Sequence, residues 1–179
     1  MSKLTKPVED KKVAEKPLAS TAPATPVVVQ DSVHKLTLPS GVMAIPKGSF
    51  LDKLYTEITD KKADLTKPLT LDSVNFKPAS ARLSLESKSQ IDELFKIMTA
   101  YPTIEVKIEG HTDNFGFPDK NLRLSNIRAA AVKYYLTTNG IVPERITTEG
   151  LGDTKPIGDN TTVEGKAKNR RIEVYVTKR

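Results

Sequence analysis

The stretch Ile104-Glu105-Val106-Lys107-Ile108-Glu109-Gly110-His111-Thr112-Asp113 alternates apolar and charged side chains over its first six positions. A period of two puts Ile104, Val106 and Ile108 on one side of an extended chain and Glu105, Lys107 and Glu109 on the other, which is the pattern of a half-buried strand. Its apolar side needs a cover, and the flanking sequence supplies one. Upstream, Ile91, Leu94, Phe95 and Met98 recur at the spacing of an amphipathic helix, Ser87-Lys-Ser-Gln90 fits a capping box, and Pro102 punctuates the end. Downstream, the turn-rich Asn114-Phe-Gly116 and Phe117-Pro118 run into a second helix predicted over 124–138 and closed by Asn139-Gly140. Further strands are predicted over 69–76, closed by Lys77-Pro78, over 146–150, and where Ile172, Val174 and Val176 alternate with Arg171, Glu173 and Tyr175. The order β-α-β-α-β-β predicts an α+β fold, a two-layer α/β sandwich with both helices on the apolar face of the sheet.

Composition divides the 179 residues unevenly. Six of the twelve prolines fall within the first 46 residues, none of the ten Phe and Tyr precedes Phe50, and no arginine precedes Arg82. A segment built from Lys, Glu, Ala, Thr and Pro buries too little surface to offset its ordering entropy, so residues 1–30 read as a flexible tether. Residues 31–68 read as a small extension. Lys35–Leu38 and Gly41–Ile45 flank a Pro39-Ser-Gly41 turn as in a hairpin, and Phe50, Leu51, Leu54, Tyr55 and Ile58 share a helix face behind Ser49 as N-cap. Residues 69–179 form the main domain. Residues 1–30 hold no apolar core of the kind a signal peptide has, which leaves open a cytoplasmic chain or one whose secretory segment is gone. The absence of cysteine excludes disulfides and thiolate chemistry. The net charge of +6 favours an anionic partner or matrix.

Chemistry concentrates where the Ile104 strand meets the second helix. On a helical wheel Leu124, Ile127, Ala131 and Tyr135 share a face, and Arg128 lies among them. A guanidinium in an apolar stripe near a helix start calls for a positional reason. Asp113 at the strand end is its natural partner, and Asn121 projects in a similar direction. Two readings stay open from spacing alone: a plain Asp113–Arg128 salt bridge, or a grip on a zwitterion. In the second, Asp113 pairs with an ammonium, Arg128 with a carboxylate, and Asn121 with either. His111 and Asp113 alternate onto one strand face, but two ligands do not make a metal site, so His111 reads as a brace and no metal or cofactor is expected.

Ile108-Glu-Gly-His-Thr-Asp-Asn-Phe-Gly116, then Asn121-Leu-Arg-Leu-Ser125 and Arg128-Ala129, together resemble the OmpA-like C-terminal domain. So do Gly150-Leu-Gly152, Pro156 and Gly165-Lys-Ala-Lys-Asn-Arg-Arg-Ile-Glu173, and the resemblance runs from about residue 69 to 178. The region before it more weakly resembles extensions of Bacteroidetes-type OmpA-family proteins. The resemblance implies non-catalytic binding of peptidoglycan through the diaminopimelate of its stem peptide, in the periplasm, tethering the outer membrane or an envelope complex to the wall. It implies that Asp113 and Arg128 grip the ligand, with Asn121, Thr112, Phe115 and Leu124 around them and Arg170 beside the pocket. Strand parity gives Arg170 the direction of Ile172 and Val174, toward the helices. Phe115 departs from the family, where the position is often small or polar, and implies a more apolar rim. No β-barrel sequence is present, so a fragment or a soluble member is expected, with an outer-membrane or envelope partner reached through the N-terminal region.

The alternative class is a cytoplasmic nucleic-acid-binding or hydrolytic sandwich. It rests on the basic pI near 9.4 and the missing signal. An RNA-binding sheet wants exposed aromatics on its central strands, where Glu105, Lys107 and Glu109 stand instead. Asp113 with Glu109 has no nucleophile motif beside it, and the paired basic residues are too scattered for a nucleic-acid stripe. Asn160-Thr161-Thr162 reads as a polar turn and not as a glycosylation site.

Overall fold

The computed structural model describes residues 33–38, 41–71 and 83–179. Two strands come first, β1 (Val33–Leu38) and β2 (Gly41–Pro46), paired antiparallel with Leu38 opposite Gly41. This is the expected hairpin, although Pro39 and Ser40 lie outside the described residues. Helix α1 (Phe50–Thr59) starts at Ser49, whose side chain accepts from the Asp52 N–H as predicted. Then follow β3 (Leu69–Thr70), α2 (Leu85–Ala100), β4 (Glu105–His111), α3 (Pro118–Thr138), β5 (Ile146–Gly152), α4 (Val163–Asn169) and β6 (Ile172–Lys178).

The four-stranded sheet runs β3-β6-β4-β5, with β4 and β5 parallel and β6 antiparallel to both β3 and β4. Parallel β4 and β5 need a crossover, which α3 provides. Ile104, Val106, Ile108, Ile146, Ile172, Val174 and Val176 are buried beneath Ile91, Leu94, Ile97 and Met98 of α2 and Ala129, Val132 and Leu136 of α3. This is the two-layer arrangement that the alternation predicts. Leu36, Leu38, Ile45, Phe50, Leu51, Leu54 and Ile58 join the same buried cluster, so the hairpin and α1 share a core with the main sheet. The Arg179 guanidinium fastens α1 by donating to the carbonyls of Glu57, Asp60 and Lys61 at 2.7–2.8 Å.

Several boundaries differ from expectation for physical reasons. Helix α2 is capped by Ser84, whose Oγ accepts from the Ser87 N–H at 3.2 Å. Ser87 lies inside the first turn, so the predicted box is one turn late; Leu85 at the true start is exposed and leaves no apolar mark. Helix α3 starts six residues before 124 because Pro118 takes the first helical position, where its missing N–H costs nothing. Of the predicted strand over 69–76, the ladder is seen at Leu69–Thr70; residues 72–76 lie outside the described residues. Helix α4 was not anticipated. Its N-cap is Thr162, which the sequence places in a turn, and its polar seven residues carry no amphipathic pattern.

The packing face of α3 is the most informative difference. Ile127 is exposed and Leu124, Ala131 and Tyr135 are half-buried, whereas Asn121, Ser125, Arg128, Ala129, Val132 and Leu136 are buried. Small side chains, not large apolar ones, select the face. Gly110 of β4 and Gly150 of β5 let the helix backbone approach so closely that a Cβ on Gly110 would stand 2.3 Å from the Ser125 carbonyl oxygen. A Cβ on Gly150 would stand 2.2 Å from the Asn126 nitrogen. The contact is sealed by polar bonds: Gly152 N–H donates to Ser125 Oγ and Gly150 N–H to Asn126 Oδ1, both at 2.9 Å.

Candidate ligand-binding site

The C-terminal end of β4, the loop before α3 and the turn between α4 and β6 converge on Asp113. The register of β4 against β5 shifts between Gly110 and His111, and β4 ends at His111, so Asp113 stands just beyond the strand. Thr112 N–H still donates to the Gly152 carbonyl at 2.8 Å and keeps the loop on the sheet. The loop then turns back on itself, with the Phe115 N–H donating to Asp113 Oδ1 at 3.2 Å and Asn121 Nδ2 to the Asp113 carbonyl at 3.3 Å. Asn169 locks the opposite wall: its side-chain oxygen accepts from the N–H groups of Ile157 and Gly158, and its amide donates to the Asn160 side chain, each at 2.8 Å. Asn160 in turn accepts from the Asn114 N–H at 3.3 Å.

Asp113 pairs with Arg170, not with Arg128. Arg170 Nη1 lies 2.7 Å from Asp113 Oδ2, and the two side chains are 35% and 14% exposed. The sequence places Arg170 beside Asp113 and Arg128 by strand parity; the contact with Asp113 is present, but parity does not produce it. Arg170 is the C-cap of α4 and stands outside β6. Arg128 is 1% exposed. Burial and the charge of Arg170 lower its pKa to about 10, with Asp113 pulling the other way. It stays protonated at neutral pH, and the guanidinium groups of Arg128 and Arg170 both act on the Asp113 carboxylate electrostatically. A carboxylate in that setting can exchange one cationic partner for another.

Of the other predicted residues, Asn121 and the Phe115 N–H bond Asp113, and Thr112 precedes it in the chain. Asn121 and Thr112 are buried, and Leu124 is half-buried. Phe115 is 79% exposed at the rim, with Phe117 beside it in sequence also exposed. Glu109, weighed as an acid partner of Asp113, bonds Lys107 at 2.7 Å instead.

What the sequence did not announce is a buried charged cluster on the sheet face away from the helices. The alternation predicts Glu109, Arg171 and Glu173 as a solvated side; all three are buried, as is His111. The chain segment at Lys155 helps cover them, for the Arg171 guanidinium donates to the Lys155 carbonyl at 3.1 Å. Burial pushes the Glu173 carboxyl up, but the adjacent His111 ring and the Arg171 guanidinium, whose Nε lies 2.7 Å away, outweigh it and hold the pKa near 2. A folded-state pKa below the unfolded value stabilises the fold above about pH 4.5 and loses that contribution as pH falls toward 2. Unfolding by urea at pH 6 and pH 2.5 should show Glu173 supplying up to about 3 kcal/mol of the acid loss. Glu173→Gln should already be weakened at pH 6 and should flatten the pH dependence; an unchanged slope would contradict the assignment.

A two-layer sandwich with a polar site at the end of β4 defines a class of binding domain, and comparison with known proteins gives the family. The chain belongs to the OmpA family, which it matches over residues 75–170. It is 40% identical over 105 residues to "Probable lipoprotein YiaD" of Escherichia coli, covering 59% of this chain and 48% of that protein. It is 46% identical over 79 residues to "Peptidoglycan-binding protein ArfA" of Mycobacterium tuberculosis, covering 44% of this chain and 24% of that one. The chain thus spans about half or less of the length of these curated relatives. Among solved structures, the peptidoglycan-associated lipoprotein from Burkholderia pseudomallei superposes with a TM-score of 0.56 at 25% identity, over 66% of this chain and 97% of that one. Among the described residues no helix is long and apolar enough to cross a membrane.

Proposed function

We propose that this chain binds peptidoglycan without catalysis, through the diaminopimelate of the stem peptide, and tethers an outer membrane or envelope complex to the wall from the periplasmic side. The observation that carries the reading is the 2.7 Å pair between Asp113 and Arg170 at a partly exposed edge, with Arg128 buried beside it. In this account Arg170 stands where the ligand ammonium will stand. On binding it swings outward, the ammonium takes its place on Asp113, and the adjoining carboxylate meets Arg128. Asn121 and the Phe115 backbone shape the loop, and the Phe115 ring forms an apolar rim. Family membership and the similarity to the peptidoglycan-binding protein ArfA and the Burkholderia peptidoglycan-associated lipoprotein support peptidoglycan as the ligand. The nucleic-acid alternative gains nothing, since β4 carries Glu105, Lys107 and Glu109 on its outer face, with Lys107 bonded to Glu109 and Glu149.

Each charge-assisted bond is worth about 1.5–3 kcal/mol net, so one stem peptide is held modestly and retention on a sacculus comes from many sites. The protein should sediment with purified diaminopimelate-type sacculi. Asp113→Ala should leave most of the protein in the supernatant with its circular dichroism unchanged. Sedimentation equal to wild type would remove Asp113 from the site.

A further inference from the structure

We propose that Glu109, His111 and Glu173 form a binding site for a divalent transition-metal ion of the zinc class, on the sheet face opposite the helices and apart from the Asp113 site. The register sets Glu109 of β4 directly opposite Glu173 of β6, and His111 follows two positions along the same face. One donor atom from each of the three lies within 4.8 Å of the others, and all three residues are buried. Among the described residues neither ring nitrogen of His111 has a hydrogen-bond partner, although the residue is 1% exposed, and Glu109 Oε2 has none either. A buried imidazole with both nitrogens unbonded is costly in a native fold and calls for an ion or a water.

The spacing fits an ion. Ligands about 2.0–2.1 Å from a tetrahedral metal stand about 3.3 Å from one another. His111 Nε2 and Glu173 Oε2 are 3.3 Å apart without the alignment of a hydrogen bond. The outer partners are also in place. Lys107 holds Glu109 by Oε1 and Arg171 holds Glu173 by Oε1, both at 2.7 Å, which leaves Oε2 of each for the ion. Lys107 is itself balanced by Glu149 at 2.7 Å. Tyr175 donates to Glu173 Oε2 at 3.1 Å and leaves that oxygen a second lone pair. The competitor is Lys155, whose ammonium lies 3.6 Å from Glu109 Oε2. Its side chain is 57% exposed, so it withdraws to water when the ion enters.

This 179-residue chain, treated with chelator, titrated with Co²⁺ and followed by its visible absorption, should take up one equivalent, and Zn²⁺ should displace it. His111→Gln and Glu173→Gln should weaken uptake at least about 100-fold. Lys155→Ala changes an exposed side chain and should tighten it about tenfold by removing a like charge from the metal's neighbourhood. Asp113→Ala should leave it unchanged. The proposal is overturned if neither wild type nor Lys155→Ala shows saturable one-equivalent uptake. It is equally overturned if Lys155→Ala binds no tighter, or if folded His111→Gln binds as wild type does.

Discussion

Replacing Gly110 with alanine is expected to destabilise the fold by about 3 kcal/mol, lowering the melting temperature by roughly 6–12 °C for a chain of this size. The added Cβ would meet Ser125 O at 2.3 Å, Ser125 C at 3.0 Å and Ser125 Cα at 3.3 Å. All three are helix backbone atoms, so no flexible side chain can yield, and α3 must lift from β4. The lift stretches the bonds from Gly152 N–H to Ser125 Oγ and from Gly150 N–H to Asn126 Oδ1. It also moves Arg128, three residues further along the same helix, so weakened ligand binding should accompany the lost stability. Thermal and urea unfolding check the first effect. A change under about 0.5 kcal/mol would mean that the close approach of helix and strand does not hold the layers together.

The layered fold was legible because β4 and β6 alternate over enough positions to define a face, and because α2 carries a regular apolar stripe. The α3 stripe misled for a specific reason. Hydrophobicity points to Leu124, Ile127 and Tyr135, but glycines on the facing strands reward small residues, and no periodicity within a helix reports what its neighbour lacks. The site was half legible. Asp113 and Arg128 stand out by type and position, yet their actual pairing depends on Arg170, which α4 delivers, and α4 has too short and polar a sequence to be seen. The outer face was misread because alternation cannot tell a charged side chain in water from one under a crossing loop. His111 was read as a brace and metal was set aside because only two ligands were visible; Glu109 and Glu173 join it only once β6 lies beside β4.

The grip on a zwitterion is the central claim, and the two ends of the ligand test it separately. A stem peptide with diaminopimelate offers an ammonium to Asp113 and a carboxylate to Arg128. The same peptide with L-lysine keeps the ammonium and lacks the carboxylate. A buried, charge-assisted contact worth about 2–3 kcal/mol corresponds to a preference of roughly 30–100-fold. Burial and Arg170 disfavour the charged form of Arg128 while Asp113 favours it, and a ligand carboxylate would act in the same direction as Asp113. Isothermal titration of wild type and Arg128→Ala with both peptides is the most direct measurement. Wild type should prefer the diaminopimelate peptide by that factor, and a folded Arg128→Ala should bind the two peptides equally and weakly. Equal binding of both peptides by wild type, or a preference that survives in Arg128→Ala, would contradict the claim.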